Sequence, residues 1–131
     1  MERVANHFRN NYGVDIVILN NDSLAKFNSD NNLNIDLQTT KAFIFGGTIY
    51  INSSKANSSD LHHEMAHILL GVLKVKDINK YKEIIKQYSE DKYFNTYYNS
   101  VSKSDSYKYY SYQDLVEEAV VNMISRRIFN K

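Results

Sequence analysis

Residues 61–70 combine a strongly apolar stretch with the pattern HExxH, and this combination restricts the fold more than any other part of the chain. In an α-helix, residues i and i+4 lie on one face about one turn apart, so His63 and His67 can bind one metal ion together. Glu64 points into the same cleft, where its carboxylate can take a proton from a metal-bound water. The pattern therefore predicts a helix that carries a hydrolytic zinc site.

The flanks of this pattern favour a buried helix rather than a surface one. Ser58, Ser59 and Asp60 offer side-chain caps for the first N–H groups of the helix, and Gly71 is typical of a helix end. The polar side chains of a buried helix must find partners, and a metal ion is such a partner for two histidines. The other side chains are mainly apolar: Leu61, Met65, Ala66, Ile68, Leu69 and Leu70.

Length and charge predict one domain without a nucleic-acid or membrane surface. The chain has 131 residues, which is enough for one hydrophobic core, and we expect a single domain over residues 1–131. Its 16 Lys and Arg balance 15 Asp and Glu and are interspersed with them. Since no basic patch stands out, we expect the protein to bind neither nucleic acid nor membrane. We also expect a monomer.

The chain contains no cysteine, which excludes disulfides, thiolate zinc sites and cysteine nucleophiles. The N-terminal residues lack the apolar stretch of a signal peptide, and no run approaches the roughly 18 apolar residues of a membrane-spanning helix. We therefore expect a cytoplasmic protein, with secretion left open. The abundance of Asn, Lys, Ile and Tyr, without any Pro, is associated with AT-rich bacterial or phage genomes.

Hydrophobic patterns predict a mixture of helices and strands. Residues 42–45 and 48–51 are apolar runs around Gly46-Gly47, a dipeptide that suits a two-residue hairpin turn. Residues 15–20 resemble a buried strand, and Leu24 and Phe27 lie in a polar turn or short helix. Further helices are predicted at residues 2–11, 77–89 and 112–129, the second capped by Asp77 and the third by Ser111 with Asp114 in a capping box. The tyrosine-rich residues 90–112 are predicted to form a loop.

A catalytic zinc ion takes three protein ligands, so the two histidines need a third. His62 points about 100° away from His63 on the helix, and His7 belongs to the first helix, so neither is the expected ligand. The remaining source is a carboxylate of the last helix, which offers Asp114, Glu117 and Glu118. Helical periodicity places Glu117 on the more apolar side of that helix, so the three carboxylates stay open at this point.

A family resemblance favours one of them. The HExxH helix followed by VEEAVVN at residues 116–122 resembles the gluzincin metallopeptidases, whose thermolysin-type members carry a similar segment. The resemblance implies that Glu118 is the third zinc ligand and that Asn122 orients a histidine. In the alternative register of lethal-factor-type metallopeptidases, Asp114 is the metal ligand, and Glu118 supports the ligands without binding the metal. We expect Glu118 to be the ligand.

The resemblance also implies a fold and an activity. It predicts an α+β, zincin-like domain, in which a small sheet with a hairpin edge strand packs on the HExxH helix and a C-terminal helix carries the third ligand. The compact layout is also similar to phage-repressor-cleaving metallopeptidases of mobile elements. The expected activity is zinc-dependent endopeptidase cleavage of a peptide or protein substrate with Glu64 as general base, and Tyr110 is one candidate for stabilising the oxyanion. The alternative is a zinc-binding, non-proteolytic protein-interaction domain.

Overall fold

The computed structural model describes residues 2–55 and 61–129. These residues form an α+β fold of six helices and one mixed three-stranded sheet, which confirms the predicted class. The helices are α1 (Glu2–Tyr12), α2 (Asn21–Asn31), α3 (Leu61–Lys76), α4 (Ile78–Ser89), α5 (Phe94–Ser102) and α6 (Tyr112–Phe129). The strands are β1 (Ile16–Leu19), β2 (Ala42–Phe45) and β3 (Thr48–Asn52), and short 3₁₀ turns cover Ser53–Lys55 and Asp105–Tyr107.

The contacts within the chain divide it into two compact units, Met1–Val72 and Leu73–Lys131. The boundary falls inside α3, so this continuous helix contributes residues to both units. The expectation of one domain over residues 1–131 stays a prediction. None of the helices in the described part of the chain is both long and apolar enough to cross a lipid bilayer.

The first unit is built around the sheet, whose strand order is β1-β3-β2. β3 is the central strand, with Ile49 and Ile51 completely buried; it pairs in parallel with β1 and antiparallel with β2. The hairpin of β2 and β3 is confirmed, and Gly46 and Gly47 have φ angles of 59° and 82°, which glycine adopts without the steric cost of a Cβ. The edge strand of the hairpin is therefore β2.

Strand β1 differs in part from its prediction. It forms at the expected residues, but only Ile16 is buried, whereas Val17 is 38 % exposed. The apolar run led to the prediction of a buried strand, yet β1 lies at the second edge of the sheet and its alternate side chains face outward. The segment after it is a true helix, α2, whose capping box joins Asn20 and Ser23.

Helix α3 runs past Gly71, so the predicted helix end at that glycine is wrong. The helix continues to Lys76, because Leu73 is buried and its burial favours another helical turn beyond the glycine. Gly71 keeps an ordinary negative φ angle inside the helix. The predicted caps at Ser58, Ser59 and Asp60 lie outside the described residues.

The second unit contains α4, α5 and α6, and α6 contacts both other helices. Asp77 caps α4 as predicted, since its carboxylate accepts the N–H of Lys80 at 3.1 Å. The prediction of a loop at residues 90–112 is wrong for Phe94–Ser102, because α5 forms there and buries Phe94 and Val101 against its neighbours. Two buried side chains seven positions apart lie on one face of a helix, so this short polar segment has an apolar face that packs inward.

Candidate metal centre

Helix α3 presents its histidines and Glu64 at the margin of a tightly packed apolar face. Met65, Ala66 and Leu69 are completely buried, and this packing fixes the rotation of the helix. His63, Glu64 and His67 are half-buried. The imidazole rings of His63 and His67 lie one helical turn apart, with their centroids separated by 4.8 Å and their planes inclined by 69°. This is the spacing that the HExxH pattern predicts.

Glu118 of α6 is the third member of the cluster. It is only 2 % exposed, and the three residues that follow it in the helix are completely buried. One ligand atom each from His63, His67 and Glu118 lies within 4.8 Å of the other two. The assignment of these residues as metal ligands stays a prediction.

The donor set fits zinc. Two imidazole nitrogens and one carboxylate oxygen are a ligand set that catalytic zinc sites use, and it leaves the fourth tetrahedral position for water. Ligand atoms around one tetrahedral zinc ion stand about 3.3 Å apart, because each bond is about 2.0–2.1 Å long. In the cluster these atoms lie within 4.8 Å of one another.

A tyrosine that sequence reasoning did not single out contacts the buried carboxylate. The hydroxyl of Tyr107 donates a hydrogen bond of 3.0 Å to Oε1 of Glu118. Burial, with this hydrogen bond as the second cause, raises the pKa of Tyr107 above its ordinary value, so the hydroxyl stays protonated and remains a donor. In the sequence the only signal was the density of tyrosines in residues 107–112, because no fixed spacing links a 3₁₀ turn to a helix that begins later.

The predicted oxyanion residue Tyr110 lies next to Tyr107 and is not itself in contact with the carboxylates of α6. Their rings meet edge to face with centroids 4.9 Å apart, and Tyr110 is 45 % exposed. Ser104 caps the 3₁₀ turn that carries Tyr107, since its hydroxyl accepts the N–H of Ser106 at 3.3 Å. Tyr110 therefore packs against the tyrosine that binds Glu118, and its role at an oxyanion stays a prediction.

The alternative ligand Glu117 belongs to a different set of contacts. It accepts a 2.8 Å hydrogen bond from the Tyr81 hydroxyl and lies 3.7 Å from the ammonium of Lys74. Burial and then the bond to Glu117 raise the pKa of Tyr81 well above its ordinary value. The Glu117 side chain is 19 % exposed whereas Glu118 is almost completely buried. The prediction from helical periodicity that Glu117 lies on the more inward side of the helix is therefore wrong.

The other alternative, Asp114, is exposed and lies one turn before Glu118. Its backbone N–H donates a 3.2 Å hydrogen bond to the Ser111 hydroxyl, which is the Ser111 half of the predicted capping box. Among the described residues, the cluster of possible metal ligands consists of His63, His67 and Glu118, and it does not include Asp114.

The proposed general base has a cationic neighbour. Oε1 of Glu64 lies 3.5 Å from the ammonium of Lys41, and the Glu64 side chain is 20 % exposed. Lys41 directly precedes β2, so this ion pair places the HExxH glutamate beside the beginning of the edge strand of the sheet. Because Lys41 is largely exposed, the pair stabilises the fold only weakly, and its interest lies in where it places Glu64.

The remaining histidines lie outside the cluster. His7 is buried in α1, where its ring meets Phe8 edge to face and its Nδ1 lies 3.2 Å from the side-chain amide of Asn11. His62 is half-buried on α3. Asn122 is half-buried one helical turn after Glu118, and its predicted role in orienting a histidine stays a prediction.

A comparison of the chain with known protein families, with curated proteins and with solved structures finds no significant match. The resemblance to gluzincins therefore stays a prediction that rests on the motif residues of α3 and α6.

Proposed function

We propose that the protein is a zinc-dependent endopeptidase with a zincin-like arrangement of α3, the sheet and α6. The observation that carries this proposal is the cluster of His63, His67 and Glu118, with Glu64 next to the first histidine. These four residues supply the functions that metal-assisted hydrolysis needs, namely three ligands and one proton acceptor.

In this proposal, His63, His67 and Glu118 hold the zinc ion. When bound, zinc acidifies a water molecule and polarises the carbonyl group that is attacked. Glu118 is prepared for this position because Tyr107 binds one of its oxygens and burial keeps competing water away. A carboxylate held by a neighbouring hydroxyl loses less rotational freedom when it binds a metal.

Glu64 is the proposed general base. It accepts the proton of the attacking water and then donates it to the leaving amine, so its carboxylate is regenerated when the products leave. The neighbouring Lys41 holds this carboxylate on the side of α3 that faces the start of β2. The base and the edge strand are therefore arranged to meet the same substrate segment.

The edge strand β2 provides a way to hold an extended peptide. Among the described strands it has β3 as its only neighbour, so its outer backbone groups can pair with another strand. Ile44 and Phe45 are 41 % and 38 % exposed and offer apolar contacts to alternate side chains of that peptide. We propose that the substrate binds as an added strand along β2, with its scissile bond near Glu64.

One observation favours a second candidate function. The ion pair with Lys41 engages the Glu64 carboxylate, as would be expected in a zinc-binding module that binds a partner without cleaving it. Such a module would keep the metal ligands and the edge strand but would not need a glutamate that is able to accept a proton. Turnover therefore separates the two functions, while zinc content does not.

The test has two steps. Inductively coupled plasma mass spectrometry of the purified protein should find about one zinc per chain, and dialysis against a chelator should remove it. The zinc-loaded protein should then cleave members of a mixed-sequence peptide library, detected by mass spectrometry, and the chelated protein should not. Zinc without cleavage would favour the interaction module, and a protein that cannot be loaded with zinc would overturn both functions.

A further inference from the structure

We propose that a groove on the second unit, formed by the end of α4, one face of α5 and the last turns of α6, binds an acidic peptide segment. The groove has a volume of about 900 Å³, which suits a short stretch of polypeptide. Met123, Arg126 and Arg127 of α6 contribute to its lining, whereas the metal cluster uses Glu118 of the same helix. Binding there does not depend on the proposed zinc site.

The lining of the groove carries an excess of positive charge. Lys92, Arg126 and Arg127 face a single carboxylate, that of Asp91, although the chain as a whole has a net charge of only +1. Asp91 is occupied locally, since its Oδ1 accepts the backbone N–H of Tyr93 at 2.9 Å. A groove that concentrates three cations around one engaged carboxylate attracts anionic partners.

These cations have no acidic partner in the described part of the chain. No carboxylate of residues 2–55 and 61–129 lies within 4.0 Å of the charged groups of Lys92, Arg126 or Arg127. Arg127 donates a 3.5 Å hydrogen bond to the Tyr88 hydroxyl, and its other N–H groups, like those of Arg126 and Lys92, can bind carboxylates of another molecule. A guanidinium can bind a carboxylate through two parallel hydrogen bonds. This charge complementarity identifies the occupant as acidic.

The aromatic lining favours a peptide over a nucleic acid. The guanidinium of Arg127 lies over the ring of Tyr88 at 5.5 Å, and the ammonium of Lys92 lies over the ring of Tyr93 at 5.0 Å. Single-stranded nucleic acids bind by stacking bases on open aromatic faces. Here Tyr88 is only 3 % exposed and a cation lies over one face of Tyr93, so Tyr97 is the lining ring that no cation covers among the described residues. Tyrosine and arginine around a mixed polar and apolar groove are instead typical of sites that bind peptides and proteins.

The groove is tested by fluorescence anisotropy with the full chain carrying Glu64→Gln, a background in which the proposed peptidase cannot cleave the probe. The probe is a fluorescein-labelled peptide of eight alternating Glu and Leu residues, and the matched control has Gln in place of Glu. We expect the acidic peptide to bind more tightly than its neutral control. We also expect its affinity to fall when salt is raised from about 0.05 M to 0.5 M, because exposed charges are screened.

Two variants locate the binding. Arg126→Gln should weaken binding about tenfold, the loss expected for one charge-assisted contact. The Arg126 side chain makes no hydrogen bond or ion pair with described residues, so its replacement should leave the fold intact. Arg3→Gln is the control, since Arg3 is also exposed but lies on α1 in the other unit, and it should change nothing.

Three results would overturn the proposal. They are equal binding of the acidic and neutral peptides, equal affinity of the Arg126→Gln and Arg3→Gln proteins, and displacement of the acidic peptide by a single-stranded oligonucleotide at a lower concentration than the unlabelled peptide requires. Since none of these measurements depends on turnover or on zinc, failure of the groove and failure of the proposed peptidase activity remain distinguishable.

Discussion

The hydroxyl of Tyr107 donates a 3.0 Å hydrogen bond to Oε1 of Glu118, so a residue of a 3₁₀ turn holds the buried carboxylate of α6. A buried carboxylate without a donor would be costly, and Tyr107 supplies one. The same carboxylate belongs to the cluster of possible metal ligands with His63 and His67. The metal site that we propose therefore depends on a side chain that is not itself a ligand.

Replacing Tyr107 by Phe should weaken zinc binding by about 10–100-fold, the usual effect of removing a hydrogen bond that supports a ligand. Competition with a chromogenic chelator measures this affinity directly. Tyr110→Phe is the matched control, because Tyr110 contacts the Tyr107 ring but donates no hydrogen bond to a carboxylate of α6 among the described residues. Equal zinc affinity in the two variants would show that the Tyr107 hydroxyl does not support zinc binding.

Glu118→Gln should release zinc, whereas Glu117→Gln should keep it. An amide oxygen is a weaker zinc ligand than a carboxylate, and Glu118 is the carboxylate that lies in the cluster. Glu117 instead binds Tyr81 and Lys74, so its replacement should lower the stability of the fold and not the zinc content. Zinc-to-protein ratios after gel filtration check both variants, and the reverse result would shift the ligand to Glu117.

Glu64→Gln should retain zinc and folding but lower the rate of peptide cleavage by about 10²–10⁴-fold, which is the contribution of a positioned general base. The amide keeps the size of the side chain and loses its ability to accept the proton. Cleavage of a library-derived peptide should be followed alongside zinc content. A Glu64→Gln protein that cleaves at the wild-type rate would show that another group takes the proton.

Tyr81 should make the second unit less stable as the pH rises into the alkaline range. Burial, and secondly the bond to Glu117, raise the pKa of Tyr81 in the folded chain above its ordinary value of 10.0. Above pH 10 the unfolded chain therefore binds fewer protons than the folded one, and the free energy of unfolding falls as the pH rises. Urea unfolding between about pH 8 and 11 should show this fall, and Tyr81→Phe should reduce its slope.

Gly71→Ala should stabilise the protein by about 0.5–1 kcal/mol, because Gly71 lies inside α3 and a glycine in a helix costs about that much relative to alanine. A Cβ added at this position meets no heavy atom within 4 Å. Gly47→Ala is the opposite control, since a φ angle of 82° in the hairpin turn suits glycine and strains alanine. Chemical denaturation should find a higher midpoint for the first variant and a lower midpoint for the second.

Features that depend on neighbouring residues could be predicted from the sequence. The β2–β3 hairpin follows from two apolar runs around Gly46 and Gly47, and the geometry of the HExxH helix follows from the spacing of His63 and His67. Both depend only on local backbone periods. The helix end at Gly71 was wrong because the burial of Leu73, a tertiary effect, outweighs the local preference of glycine.

Features that depend on packing could not be predicted in the same way. Buried residues lie on nearly all sides of the middle of α6, so a step of about 100° per residue does not determine which of two adjacent glutamates is buried. Helix α5 was missed because tyrosines and asparagines separate its two buried residues and give little contrast between faces. The contact between Tyr107 and Glu118 joins an irregular turn to a helix, and no sequence period describes such a pair.

The central position of β3 also has a consequence for the order in which the sheet can assemble. β2 and β3 are joined by two glycines, so their pairing closes a very short loop, and hairpins of this kind form within microseconds. The partner of Ile49 in β1 is Ile16, which is far away in the sequence, so this parallel pairing must first close a much longer loop. The hairpin is thus the template that the chain can build early, and β1 is the strand that docks onto it afterwards.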